Sequence, residues 1–347
     1  MALYPLVFRP IYKEKVWGGR TLEQLGRTLP GGASVGIGES WELADLDQTS
    51  PSGGGGAAAH SVIRNGPLTK RTIRDLLADL WPHVMGPAAL TDRARFPVLL
   101  KYLDARENLS VQVHPSPEYA ANHPDAVIKY EAYYIVRAEP DAVVYKGVVE
   151  GVGPDELRAA IDAGTVPELL VAVPVREGEM HYLPSGTLHA LGRGILAAEV
   201  QTVSDTTFRV FDWGRTDRDL HVEEALASID FAPTDATPWE RDEPVSGRPA
   251  AGRRLVTTPY FEVVEWTLDN VVTCPWPDDR LAALMVVGGA GRIRWGADGD
   301  RSVDVTAGDT VLIPASLRDA WSETDGAMTV LEITLPDAHD SRGGEDG

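Results

Sequence analysis

The chain has 347 residues, with 32 basic and 52 acidic side chains and a formal net charge of −20. That charge repels nucleic-acid phosphates and argues against non-specific nucleic-acid binding, although a small anion is acceptable wherever cations gather locally. The one cysteine, Cys274, rules out an intramolecular disulfide, and no stretch approaches the roughly 20 apolar residues of a membrane span, so a cytoplasmic protein without membrane contact is expected.

In chain order, "MALYPLVFRPIYKEK" opens with an apolar run too short for a signal peptide. The segment "SPSGGGGAAAHS" (50–61) reads as a flexible surface loop. "LTKRTIRDLLADLW" (68–81) places Ile73, Leu76, Leu77 and Leu80 on one face and predicts a helix. Strand-length runs follow, "FPVLLKYL", "AYYIV" and "AVVYKG", parted by Gly, Pro and Asp. A second helix is predicted over 154–164, from Pro154 with acidic residues in its first turn to a stop at Gly164. Beyond it, "ILAAEVQTV", "TTFRVFDW", "YFEVVEWTL", "LAALMVV" and "TVLIP" continue the β pattern, and the tail from about Asp337 reads as disordered.

The stretch "LSVQVHPSPEYAANHPDAVIKYEAYYIV" (109–136) carries chemistry. Side chains alternate along a strand, so Gln112 and His114 share a face, and Glu131 opens the next strand after a turn-rich, proline-containing segment. An amide oxygen, an imidazole nitrogen and a carboxylate would make three-quarters of a four-ligand metal site. Lysine is scarce, confined to Lys13, Lys15, Lys70, Lys101, Lys129 and Lys146, and two of these border the same strands. Lys101 follows an apolar run, where a buried lysine without a role is costly.

Residues 178–189, "GEMHYLPSGTLH", and 308–319, "GDTVLIPASLRD", both read Gly, five residues, Pro, and upstream "EAYYIV" (131–136) aligns with "AALMVV" (282–287). Two copies of one β unit predict two stacked jelly-roll barrels.

The pattern Gly178, Pro184, Gly186, His189 resembles the second motif of the cupin superfamily, whose His is a metal ligand; in the second copy Asp319 replaces His189 and Ala282 replaces Glu131, so only the first would hold metal. More specifically, "FPVLLKYLDARENLSVQVHP", "KYEAYYIV", "LPSGTLHALGRGILAAEVQTVSDTTFRVFDWGR", "KEKVWGG" and "GESWEL" resemble type I mannose-6-phosphate isomerases of the short bacterial and archaeal branch, over about residues 5–335. The resemblance implies a mainly β fold of two cupin barrels with a small helical portion. The catalytic barrel would span 1–235, with helical insertions near 68–95 and 154–170. A degenerate barrel would follow over 236–337, then a disordered tail, 338–347. It implies one zinc ion on Gln112, His114, Glu131 and His189, and a catalytic Arg209 four residues after Asp205. Substrate would be lined by Trp17, Glu39, Lys101 and Lys129. The implied reaction interconverts mannose 6-phosphate and fructose 6-phosphate through an enediol. Lys101, Lys129 and Glu39 stand as alternatives for its base, and Lys101 and Lys129 are the first candidates for holding phosphate. Tyr130, where the family often has Thr or Pro, is expected to face away from the ligand row. A non-catalytic sugar-phosphate sensor and a metal-dependent cupin oxygenase are the rival readings, and monomer and homodimer both remain open.

Overall fold

The computed structural model describes residues 2–47, 50, 58–87, 95–232, 243–245, 250–269, 274–276, 279–296, 298–324 and 326–336. Most of the 50–61 loop, residues 88–94 of the first helical insertion, the expected boundary near 235 and the tail from 337 lie outside these residues.

The described residues build three antiparallel layers. The middle layer has six strands, in the order Met180–Leu183, Glu131–Ala138, Ile195–Thr202, Val98–Ala105, Ile11–Gly19 and Ile37–Leu43. One face of it, with Leu103, Ile135 and Ala197, packs toward Val144 and Leu191 of a five-stranded sheet. That sheet runs Leu170–Pro174, Val143–Val148, His189–Leu191, Val111–Val113, Phe208–Phe211. The opposite face, with Leu100, Tyr102, Ala132, Tyr134, Ala198 and Val200, packs on Val263, Met285, Leu331 and Ile333 of an eleven-stranded sheet formed mostly by the C-terminal third. Sandwiching explains "FPVLLKYL": Val98–Ala105 is buried at all eight positions because both of its faces are covered.

The architecture is mainly β with few helices, as expected, but the sheets are open. Leu170–Pro174 and Phe208–Phe211 remain edges of the five-stranded sheet, and Met180–Leu183 remains an edge of the middle one, where Ile37–Leu43 pairs with both Ile11–Gly19 and Val98–Ala105. The internal repeat shows as equal registers. Leu183 opposes Glu131 and Met180 opposes Tyr134 in one copy; Ile313 opposes Ala282 and Thr310 opposes Met285 in the other. Gly178 (φ +88°) and Gly308 (φ +93°) turn both units into their strands through left-handed backbone that glycine tolerates best. The first strand, Leu6–Arg9, pairs with Thr310–Ile313 and so belongs to the eleven-stranded sheet.

The first helix spans Ile73–Met85 rather than 68–81, because a Thr72/Asp75 capping box fixes its start. The second runs Pro154–Ala163 and stops at Gly164 (φ 73°). Two short helices were not expected: Pro117–Asn122, capped by Ser116 inside the turn-rich segment, and Val222–Ser228. Among the described residues no helix is long and apolar enough to cross a membrane.

Candidate active site

Strand pairing assembles the site between the middle and five-stranded sheets. Across the five-stranded sheet, Lys146 opposes His189, His189 opposes Gln112, and Gln112 opposes Arg209, one continuous cross-strand row. On the middle sheet Trp41 opposes Lys101, Lys101 opposes Glu199, and Glu199 opposes Tyr133, with Glu131 two residues before Tyr133 on the same face. Tyr130 points the other way, its ring 4.7 Å from that of Tyr260.

His114, Glu131 and His189 are fully buried, and one ligand atom from each lies within 4.8 Å of the others. His189 Nε2 is 2.8 Å from Glu131 Oε1, and His114 Nε2 is 3.3 Å from Oε2. His114 Nδ1 lies 2.8 Å from the Thr206 carbonyl and His189 Nδ1 2.9 Å from that of Thr187. Each Nδ1–H is thereby committed to backbone, and both Nε2 lone pairs turn inward, the tautomer that metal-binding histidines adopt. Burial and neighbouring Lys129 hold the His114 imidazolium down to about 4, so the ring is neutral. Two inward lone pairs facing a carboxylate repel it; Lys129 Nζ, 3.3 Å from His114 Nε2, offsets part of this, and His189 Nε2 still faces Glu131 Oε1. Glu131 Oε2 presses against Lys129 Nζ yet accepts no well-directed hydrogen bond. Its unmet acceptor capacity and the two lone pairs fit a divalent metal ion. Gln112 stands beside this group, its amide nitrogen 3.4 Å from His189 Nε2 and its oxygen 3.5 Å from Ser110 Oγ. Half a turn of the amide would present the oxygen instead.

Above the group opens a cavity of about 290 Å³, lined by Trp17, Glu39, Lys101, Gln112, Lys129, Asp205 and Arg209 among others. Every expected site residue therefore either lines this cavity or belongs to the cluster beneath it. Their states differ from one another. Lys129 Nζ sits between Glu131 and Glu199 (3.3 Å), whose charges overcome the opposing effect of burial and hold its ammonium above the ordinary lysine value. Both carboxylates engage it where it lines the cavity. Lys101 Nζ lies 3.4 Å from Glu199. Burial would raise the Glu39 carboxyl, but Lys15 and Lys101 outweigh it and bring it to about 2. Arg209 donates from Nη1 to the Asp219 carbonyl at 2.8 Å, while its buried Nε has no partner. Burial and the nearby Arg218 lower its guanidinium. Asp205 accepts the Ser50 N–H at Oδ1, and its buried Oδ2 is unbonded.

Three cavity residues were missed. Glu199, fully buried, is pushed up to about 7 by burial against the pull of Lys101 and Lys129. The Tyr133 hydroxyl donates to Glu131 Oε1 at 2.6 Å. Lys15 pairs with Glu39 at 3.0 Å. Glu199 did carry a signal, a lone charge inside the apolar run "ILAAEVQTV", of the same kind that marked Lys101.

Fold and site together define a mainly β protein with a buried, metal-capable His–Glu–His group under a charged cavity. Residues 6–140 match the family described as phosphomannose isomerase type I, catalytic domain. The chain is 33% identical to mannose-6-phosphate isomerase ManA of Bacillus subtilis (strain 168), covering 91% of this chain and 95% of that protein. It is 32% identical to the mannose-6-phosphate isomerase of Streptococcus mutans (strain ATCC 700610 / UA159) over 94% of this chain and 97% of that protein. The crystal structure of the mannose 6-phosphate isomerase from Bacillus subtilis superimposes with a TM-score of 0.81 at 28% identity, over 95% of this chain and 99% of the other. The chain belongs to the type I phosphomannose isomerase family and is an enzyme of the isomerase class.

Proposed function

We propose that the enzyme interconverts mannose 6-phosphate and fructose 6-phosphate through an enediol, with zinc held by His114, Glu131, His189 and the amide oxygen of Gln112. The carrying observation is the pair of imidazoles with both Nε2 atoms turned onto Glu131, directly under a cavity edged by Lys101 and Arg209. A bound zinc would supply Lewis acidity at the sugar oxygens.

The rest is chemistry of the chain's own groups. Moving a proton between C1 and C2 builds negative charge on oxygen, and a buried guanidinium with an unpaired Nε is suited to receive it. Arg209 would stabilise charge and not act as base, because a guanidinium does not give up its proton. Among the expected bases, Glu39 is a weak proton acceptor at about 2, and Lys129 is held charged by two carboxylates. Lys101 remains, with Glu199 beside it as a carboxyl the sequence did not single out. The division into a catalytic part over 1–235 and a metal-free part over 236–337 is retained in this reading, the latter lending the surface on which the middle sheet packs.

A coupled assay of mannose 6-phosphate conversion, with and without a chelator, tests the proposal. Turnover should vanish on chelation and return with added zinc, and free mannose should be a far poorer substrate, since ion pairs in a partly desolvated pocket discriminate better than sugar hydroxyls. Chelator-insensitive turnover would sink the metal assignment. Equal kcat/KM for mannose and its 6-phosphate would mark a free-sugar isomerase.

A further inference from the structure

Trp41 has no role in the chemistry above, yet it stands where two charged cavity groups meet. It lies on Ile37–Leu43, opposite Lys101 on one side and Ile11 on the other, and is 5% exposed. Its indole Nε1–H donates to Glu39 Oε2 at 2.6 Å, while Glu39 Oε1 takes the Lys15 ammonium at 3.0 Å. Both carboxylate oxygens are thus assigned to different donors, which fixes the rotamer. Lys101 Nζ lies 5.2 Å from the Trp41 ring centroid and pairs with Glu199 at 3.4 Å, and Lys13 Nζ lies 4.8 Å from the same ring. Glu39 and Lys101 line the same cavity, but the ion pairs they make are with Lys15 and Glu199.

Opposite charges that line one partly desolvated cavity attract one another, and Lys101 already acts on the Glu39 carboxyl through its charge. The indole does two things at once. Its N–H draws the Glu39 carboxylate to one side, and its ring face offers Lys101 a cation–π seat that is not a carboxylate. We propose that Trp41 is a positioning residue that keeps Glu39 on Lys15 and Lys101 on Glu199, so that the carboxylate and the ammonium face substrate from separate sides of the cavity instead of closing on one another. The proposal deepens the functional reading above and rests on it for its kinetic consequences only. The contact it predicts between Glu39 and Lys101 can be read without turnover.

The test uses the full-length, zinc-loaded enzyme. Trp41→Phe keeps a ring for Lys101 but removes the N–H, so Glu39 is free to close on Lys101. Competitive labelling with acetic anhydride, read by mass spectrometry, should show Lys101 acylation falling several-fold in Trp41→Phe and recovering in Trp41→Phe/Glu39→Gln. In the assay, kcat for mannose 6-phosphate should fall roughly tenfold or more, as expected for loss of a hydrogen bond to a charged group, with KM and zinc content near the parent's. Within the Glu39→Gln background the same change should have little further effect, because the group it positions is gone. Unchanged Lys101 reactivity in Trp41→Phe would overturn the inference, and so would additive losses in the double variant. If phenylalanine disturbs folding, β-(3-benzothienyl)alanine at position 41 replaces only the N–H with sulfur and is judged by the same two measurements. A parent enzyme inactive on mannose 6-phosphate would defeat the functional reading, while the labelling comparison would still decide the role of Trp41.

Discussion

Arg209 keeps a nearly buried guanidinium whose Nε meets no acceptor and whose Nη1 is satisfied by a backbone carbonyl. Burying such a charge without a counter-ion is costly, and among the described residues it makes no ion pair, which is the state expected of a group kept for a bound anion. Arg209→Lys preserves charge but loses the planar fork. Turnover should fall roughly a hundredfold, the scale of removing one preorganised donor, while bound-metal content and the unfolding midpoint stay near the parent's. Activity within a few-fold of the parent would make Arg209 a structural residue. At this scale the sequence marked the residues by type: Glu131, His114 and Arg209 stand in motifs, and Lys101 is a charge in an apolar run. What it could not show is which charges satisfy one another. Lys129 stands two residues before Glu131, but its other carboxylate partner, Glu199, reaches it only when Ile195–Thr202 pairs with Glu131–Ala138.

Strands were legible because apolar runs and turn residues are local signals, and the equal registers of the two repeats bear out the alignment of Gly178 with Gly308. Barrel closure was not legible, because it depends on which edges meet, and the edges here stay unpaired with one another. The helix over 73–85 started late for a related reason: the capping box at Thr72 outweighed the apolar spacing that extended the prediction back to 68. Element positions matter most at Gly18, next to Trp17 on the strand Ile11–Gly19. A Cβ placed there would lie 2.4 Å from the Gly38 backbone nitrogen and 2.8 Å from the Ile37 carbonyl carbon. Backbone cannot rotate away as a side chain can, so Gly18→Ala must push apart the strands that present Trp17 and Glu39 to the cavity. The expected cost is about 1–3 kcal/mol in a denaturant titration, together with a fall in activity larger than the stability loss explains. A variant with parental stability and turnover would show that the two strands yield without disturbing the site.

At the scale of the whole chain, the outer face of the middle sheet is covered by the C-terminal sheet, and polar clamps cross the same boundary. Arg27 grips Glu42 through two bonds, at 2.8 and 2.7 Å, also donates to the Gly308 carbonyl, and lies over the Tyr102 ring. The Tyr102 hydroxyl reaches the Val286 carbonyl at 3.2 Å, and that of Tyr134 reaches Glu265 at 2.5 Å. With Leu6–Arg9 paired into the C-terminal sheet as well, neither half can lose its partner without exposing apolar surface and orphaned polar groups. The two parts should therefore unfold together, and the Arg27–Glu42 pair offers a way to test this. The side chains of Arg27 and Glu42 are only 10% and 3% exposed, so Arg27→Met strands a buried carboxylate and should destabilise the enzyme by about 3–5 kcal/mol. Arg27→Met/Glu42→Leu removes both charges and should regain most of that loss. Denaturant-dependent hydrogen exchange, followed on peptides from Val98–Ala105 and Ala327–Thr334, should show both sheets losing protection at one shared midpoint in the parent. In Arg27→Met that midpoint should move for both peptides by the same amount. Two separate midpoints, with only the first shifted by the substitution, would mean that the C-terminal sheet folds on its own and contributes nothing to holding the site.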